Sequence, residues 1–311
     1  VVVHERRARL EKRLLVLQQY YQEGIARIED RWSGSGSTGV EFLDEGHPYA
    51  ADLDLFGEGS LFQLLCRART RIGAATLARW LLGPSPASGI VERQEAIRAL
   101  TSRLDLREDL ALEGVRMAAD VAPEHLSEWV RGVPLLASPR FQRFSALLAG
   151  IGALSLVPLF LLGLLWPAIL VLCVNLVVLA RVGKQLKSLG ASLEQPRREL
   201  AVLARVVRRL ERESFDSPVL RQLQQRFGHG GLPASEAIAR LDRLGALYEM
   251  QFNQLFAPLA VLLLWGVHVG YRIERWRAQW AAQVPDWLEA VGQLEALCSL
   301  AGFAYERDDV H

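Results

Sequence analysis

The chain has 311 residues, half of them hydrophobic, and sets 36 Lys and Arg against 35 Asp and Glu for a net charge of +1. That is length for two modest domains or one extended helical one, and the neutral total gives no overall electrostatic footprint for nucleic acid, although a local basic face is compatible with it. Cys66, Cys173 and Cys298 lie far apart without metal-type spacing, which argues against a disulfide framework and fits a reducing compartment.

Apolar residues at Leu10, Leu14, Leu17, Tyr21, Ile25, Ile28 and Trp32 recur at spacings of three and four, predicting an amphipathic helix within residues 1–32. Its other face carries Arg6, Arg9, Lys12 and Arg13 with Glu5 and Glu11 among them, the pattern of a solvated face. Residues 33–46 read as a linker. Ser33 to Gly39 superficially resembles a phosphate loop but lacks the Lys followed by Ser or Thr that reaches the phosphates.

Residues 47–143 are expected to form the first half of a helical core. Ser60 followed by Gln63 is a capping box. After a break at Thr70 to Gly73, a second helix with Leu77, Trp80 and Leu81 stops at Gly83 and Pro84. A third, after Ser88, is expected to bury Ile90, Ile97 and Leu100. Arg93, Arg98 and Arg107 read as surface or partly buried charge, and His125, without a Cys or Asp partner at ligand spacing, as an ordinary surface histidine.

From Phe144 to Ala180 run 37 residues without a charge, closed by Arg143 and Arg181. About 20 apolar helical residues cross a bilayer core, so the run predicts a hairpin of two spans over 144–180, turning near Trp166 and Pro167. Arg140 and Arg143 before it and Arg181, Lys184 and Lys187 after it put both outer ends on the cytoplasmic side. The expected location is therefore the inner (cytoplasmic) membrane, with the soluble parts facing the cytoplasm. The competing reading is a hairpin buried in a soluble helical domain. No ionisable group interrupts the run, so it supports an anchor rather than an ion pathway, and Asn175 reads as an interhelical hydrogen bonder. Replacing the run with a short loop is expected to leave a soluble core.

Val182, Leu186, Leu189, Leu193, Pro196, Leu200, Leu203, Val207 and Leu210 form a heptad seam in residues 181–215, with Pro196 expected to kink or restart the helix. Arg205, Arg208, Arg209 and Arg212 line one side. They either contact phosphates of duplex DNA or, with Glu199, Glu211 and Glu213 interleaved and no aromatic placed to stack on bases, form a solvated face. Residues 216–305 are read as the second half of the core. Ser217-Pro218 opens a helix to Phe227, and Ser235 caps the next. The uncharged run from Gln251 to Tyr271 is read as a buried core helix, because a third span would carry Arg272, Arg275 and Arg277 across the membrane. The last helix, from Asp286, is expected to bury Trp287, Leu288, Val291, Leu294 and Leu297. With no sustained strand alternation the fold class is all-α. Without a nucleophile and base, a defined carboxylate pair or a metal motif, no catalytic, cofactor or metal site is assigned.

The order Asp54-Leu55-Phe56, Gly59-Ser60-Leu61, Leu64-Leu65, Thr70, Gly73, Leu77, Trp80-Leu81, Pro84, Ile90, Arg93 and Leu104-Asp105-Leu106-Arg107 resembles the start of the helical core domain of the MutS mismatch-repair family. More specifically it resembles the membrane-associated MutS-like branch. Glu295-Ala296-Leu297, Ser299-Leu300-Ala301 and Tyr305 are similar to the segment leading into that family's ATPase domain, while Cys66 stands where the mismatch-repair proteins more often carry aspartate. The resemblance implies a MutS core-like domain with long lever helices, 181–215 looking like one, and an inserted transmembrane hairpin. It also implies an ATPase using ATP and Mg beyond the 306–311 tail, and a homodimer closed through that domain. The opening Val1-Val2-Val3, without Met or a signal-peptide pattern, and the charged tail read as those of a fragment.

The implied function is the core and lever region of a membrane-anchored, DNA repair-type ATPase that transmits nucleotide-dependent motion. The family's mismatch-reading Phe-x-Glu element belongs to an N-terminal domain with no counterpart here, so any DNA binding is expected not to be mismatch-specific. The competing class is a helical membrane scaffold or adaptor with no DNA or nucleotide role, which draws on the near-neutral charge and an exposed heptad seam.

Overall fold

A computed structural model describes residues 2–44 and 46–307, without the side chains of 2–6, 8, 9 and 229. The side chains of Glu5, Arg6 and Arg9, and tail residues 308–311, thus lie outside the described residues. The chain is 75% helical and 1% strand, an all-α fold. In order it forms α1 (Val2–Ile28), α2 (Leu61–Leu65), α3 (Arg71–Leu82), α4 (Ala87–Thr101), α5 (Leu104–Asp120), α6 (Pro123–Arg131), α7 (Pro139–Leu162), α8 (Trp166–Glu211) and α9 (Pro218–Gln225). A two-residue ribbon follows, β1 (Gly228–His229) antiparallel to β2 (Leu232–Pro233), then α10 (Ala234–Glu249), α11 (Ala257–Leu262), α12 (Trp265–Trp280) and α13 (Gln283–Glu306). Two compact units emerge. One holds the residues up to Pro123, Val202–Ser235 and those from Pro285 on; the other holds Glu124–Ala201 and Glu236–Val284.

In the first unit the helix junctions follow from capping chemistry. Ser60 Oγ accepts from the Gln63 N–H at 3.2 Å while Gln63 Oε1 accepts from the Gly59 N–H at 2.7 Å, so α2 starts in a capping box. Thr70 caps α3 through the Gly73 N–H at 3.1 Å. Behind these caps Leu55, Phe56, Phe62, Leu65, Leu77 and Ala296 share one buried cluster. All five residues expected to be buried by α13 are buried.

Some expectations change. α4 buries Leu100 as expected and Ala96 with it, but leaves Ile97 half-buried and Ile90 exposed. Arg107 is buried, donating to the Thr101 carbonyl at 2.8 Å and lying 5.0 Å from the Tyr305 ring, whereas Arg98 stays exposed and Arg93 lies 4.2 Å over the Trp80 ring. α1 packs on α5, where the Tyr21 hydroxyl donates to Glu108, while its buried Tyr20, Gly24 and Arg27 meet Arg67 and Glu306; of its apolar stripe Leu10, Leu14, Ile25 and Ile28 face outward. Ser235 does not cap α10, which begins one residue earlier. The Glu211 carboxylate does so, accepting from the Ser235 N–H at 3.1 Å and from its hydroxyl.

In the second unit the hairpin turns at Gly163 to Leu165 rather than at Trp166 and Pro167. Gly163 takes the left-handed conformation, φ 69°, that glycine adopts without a Cβ penalty, and its N–H closes α7 onto Leu159 and Pro158. Pro167 falls in the first turn of α8, where no N–H is needed. α8 then continues through Pro196 without a break for 46 residues. Its seam, including Leu186, Leu189, Leu193, Leu200, Leu203, Val207 and Leu210, is buried rather than exposed. Glu199 is buried as well, within 3.5 Å of His125, so that histidine does have an acidic partner. The 251–271 run is not one core helix. It divides into a 3-10 turn at Met250–Phe252, the six-residue α11 and the start of α12, with the break at Leu264, whose φ is +48°. Asn253 and Pro258 supply the interruption: the Asn253 side chain takes the Leu255 N–H at 3.0 Å, and proline starts a helix more readily than it continues one.

Candidate functional site

α7 and α8 each contain a stretch long and apolar enough to cross a membrane. Their side chains point out rather than in: Leu154, Phe160, Leu161, Leu162, Ile169, Leu170, Leu176 and Val177 are exposed, Phe160 to 82%. The few polar groups are turned inward. Ser155 Oγ donates to the Gly152 carbonyl at 2.7 Å, and buried Asn175 donates from Nδ2 to the carbonyls of Leu262 at 2.8 Å and Val261 at 3.3 Å. Asn175 therefore joins the hairpin to α11 rather than α8 to α7. Gly152 faces the same carbonyl of Leu262 and leaves no room for a Cβ.

Of the four arginines proposed from sequence as DNA contacts, Arg205, Arg208 and Arg209 stand on the last turns of α8 and Arg212 just beyond its end, and they are not equivalent. Arg205 Nε donates to Glu113 at 3.0 Å. Arg209 is held by Asp109 at 2.8 Å, Asp105 at 3.2 Å and Glu213. Acidic α5 thus absorbs these two cations. Arg208 and Arg212 remain exposed. The interleaved Glu213 is not solvated as the sequence suggested; its mostly buried side chain takes Arg103 as well as Arg209.

The most unusual chemistry in the first unit is a buried charge cluster that sequence reasoning did not assign. Arg27 and Arg67 grip the two oxygens of Glu306 at 2.6 and 2.8 Å, and Arg69 pairs with Glu23 at 2.7 Å. Nearby, Glu295 accepts from the Thr70 hydroxyl and from the backbone N–H groups of Arg69 and Thr70, at the start of α3. It fits because Gly73 and Gly114 flank it; a Cβ on Gly114 would stand 2.8 Å from its Oε1. Burial pushes the Glu295 carboxyl up to about 7, against the opposing pull of those hydrogen bonds and Arg69. Burial likewise pushes the Cys66 and Cys298 thiols up to about 12, the inert rather than the nucleophilic condition. The cavity between Tyr20, Arg67, Arg107, Glu295 and Cys298 is only about 20 Å³, room for about one water, so the cluster is a structural tie and not a substrate pocket. The sequence signal was present in Thr70, Gly73 and Glu295, but no local spacing connects residues so far apart in the chain.

No grouping of three or more His, Cys, Asp or Glu suited to a metal occurs among the described residues. No family model, curated protein or solved structure matches this chain.

Proposed function

We propose that residues 1–311 are the helical core of a membrane-anchored, MutS-like ATPase, with α7 and α8 in the bilayer and ATP and Mg used by a domain outside this sequence. The anchoring rests on one observation above all, the outward-facing, charge-free hairpin. Apolar patches of this extent on a water-exposed surface mark a membrane or protein contact, and both ends of this one carry arginine or lysine. The MutS-like part rests on the sequence blocks around Asp54 to Arg107 and Glu295 to Tyr305. In this reading α13, tied through Glu306 to Arg27 and Arg67, delivers nucleotide-dependent movement to the helical core, and the exposed Arg208 and Arg212 offer weak, salt-sensitive duplex binding without mismatch specificity. The assembly is a homodimer closed through the ATPase domain, at the cytoplasmic face of the inner membrane.

The test is the full-length gene product. A Gly-rich phosphate loop ending in Lys-Ser or Lys-Thr within about a hundred residues after His311, and ATP binding that depends on it, are expected; their absence overturns the ATPase reading. A helical membrane scaffold without DNA or nucleotide role is the second reading. The outward stripe of Leu10, Leu14, Ile25 and Ile28 favours it, since that surface suits a protein partner, as does the neutralisation of Arg205 and Arg209 by α5. A full-length protein that binds neither ATP nor DNA at low salt would establish it.

A further inference from the structure

The segment that follows α10 carries apolar groups where water is a poor neighbour. Phe252 is 71% and Leu255 94% exposed, in a stretch without a charge between Glu249 and Arg272. α11 is only six residues, about 9 Å, and cannot span a bilayer. It docks instead against the middle of the hairpin. Gly152 and Asn175 each lie roughly 15 Å along their helices from the turn at Gly163 to Leu165, half the thickness of a hydrocarbon core.

At that depth a short helix has a specific problem. Its terminal carbonyls have no partner within the helix and hydrocarbon offers none. Here the Asn175 amide donates to the Leu262 carbonyl and to that of Val261, which also accepts from the Leu264 N–H at 3.1 Å. At the other end Asn253 takes the Leu255 N–H through its side chain and the Ala257 N–H through its carbonyl. A buried Asn directed at main-chain carbonyls, in the same segment as fully exposed Leu255, is the pattern of irregular backbone adapted to lipid. The path length also closes: Trp265 to Arg272 gives roughly 11 Å of helix back toward the interface, and the two residues between Leu262 and Trp265 reach far enough to cover the rest.

We infer that Gln251–Leu264 enters the bilayer beside α7 and α8 as a re-entrant segment, and that the slot it closes with them holds the acyl chain of a membrane lipid. The slot is about 300 Å³, lined by Leu156, Ile169, Leu172, Leu255, Pro258 and Leu259 without a charged group, and continuous with the outward faces of both helices. This rests on the reading of α7 and α8 as a membrane hairpin, and native Cys173, exposed on α8, lets the two be separated.

In phosphatidylcholine vesicles, the full chain and its Leu255→Cys variant are treated with a water-soluble maleimide before and after dissolution in SDS. Both Cys173 and the cysteine at position 255 are expected to react at least tenfold more slowly in vesicles. A shielded Cys173 with a freely reacting cysteine at 255 overturns the re-entrant segment and keeps the hairpin; free reaction at both overturns both. A phosphatidylcholine with a photoreactive acyl chain is expected to crosslink Leu255–Leu262 along with α7 and α8, and to lose the α11 crosslink in Gly152→Ala. Crosslinks confined to α7 and α8 in the parent chain overturn the slot.

Discussion

The two ends of this chain's chemistry meet solvent in opposite ways. In the first unit a cluster of arginines and glutamates is drawn inside, with Arg27, Arg67, Arg107, Glu295 and Ser299 nearly or fully buried. In the second, the α7–α8 hairpin puts leucine and phenylalanine outside and its serines and Asn175 inside. An ordinary soluble helix buries its apolar stripe and shows its charge; the hairpin does the reverse, which the proposed anchoring accounts for by placing an apolar medium on its outer side. The charge cluster obeys a different rule: buried ions persist only when paired and hydrogen-bonded. Stability in the first unit therefore depends on matching charges, and under the proposed anchoring that of the hairpin depends on the surrounding medium.

Breaking the cluster should have the largest effect. Arg67→Met removes one of two cations from buried Glu306, and a half-broken buried pair costs roughly 3–5 kcal/mol; a chemical denaturation midpoint unchanged from the parent would show that the cluster carries no stability. In the hairpin the corresponding change is Leu154→Arg, which puts a charge on its outward face. Central arginine costs about 2.5–3.5 kcal/mol in membrane insertion, so the variant is expected to lose membrane association while the cluster is untouched. Unchanged sedimentation with membranes would place that face elsewhere than in lipid.

Glu295 sharpens the contrast through pH. Its carboxyl is raised from an ordinary 4.5 to about 7, so the folded state holds the proton more tightly than the unfolded chain does. Its contribution is fully present below pH 4.5 and is lost as pH rises to 7, on the order of 3 kcal/mol at most. The stability of the parent relative to Glu295→Gln is thus expected to fall across that window and level off above it, read by denaturant titration at pH 5 and pH 8; a difference independent of pH removes Glu295 as a proton-linked group. The smallest effect belongs to the arginines at the end of α8. Arg209→Ala breaks partly exposed pairs to Asp105 and Asp109, worth under about 1 kcal/mol each, and leaves mostly buried Glu213 to Arg103; it should leave any duplex binding nearly unchanged, whereas Arg208→Ala with Arg212→Ala should weaken it and flatten its salt dependence.

Much of this was legible in sequence where the signal is local. The capping box at Ser60 and Gln63, the Thr70 cap, the buried face of α13 and the charge-free run all follow from neighbouring residues. The turn was misplaced by a few residues because Pro167 reads as a breaker wherever it stands, while Gly163, three residues before Trp166, supplies the conformation that ends α7. The burial of Arg107 and Glu295 was illegible because it needs partners from distant segments, and α1 shows that periodicity identifies an apolar stripe without saying what covers it. The tie from Asn175 to α11 has a further consequence. The hairpin is not a free insert, and replacing 144–180 with a short loop would take the Asn175 donor from the Leu262 carbonyl and leave that of Val261 with the Leu264 N–H alone.

Whether the hairpin lies in lipid can be read from the reactivity of Cys173, exposed on α8, in native membranes. Burial holds the Cys66 and Cys298 thiols up at about 12, so they react slowly while the protein stays folded, and modification is assigned to each cysteine by peptide mass. With N-ethylmaleimide at pH 7, Cys173 is expected to stay unmodified in intact membranes and to react within minutes once they are dissolved in SDS. Rapid modification of Cys173 in the intact membrane would contradict the account.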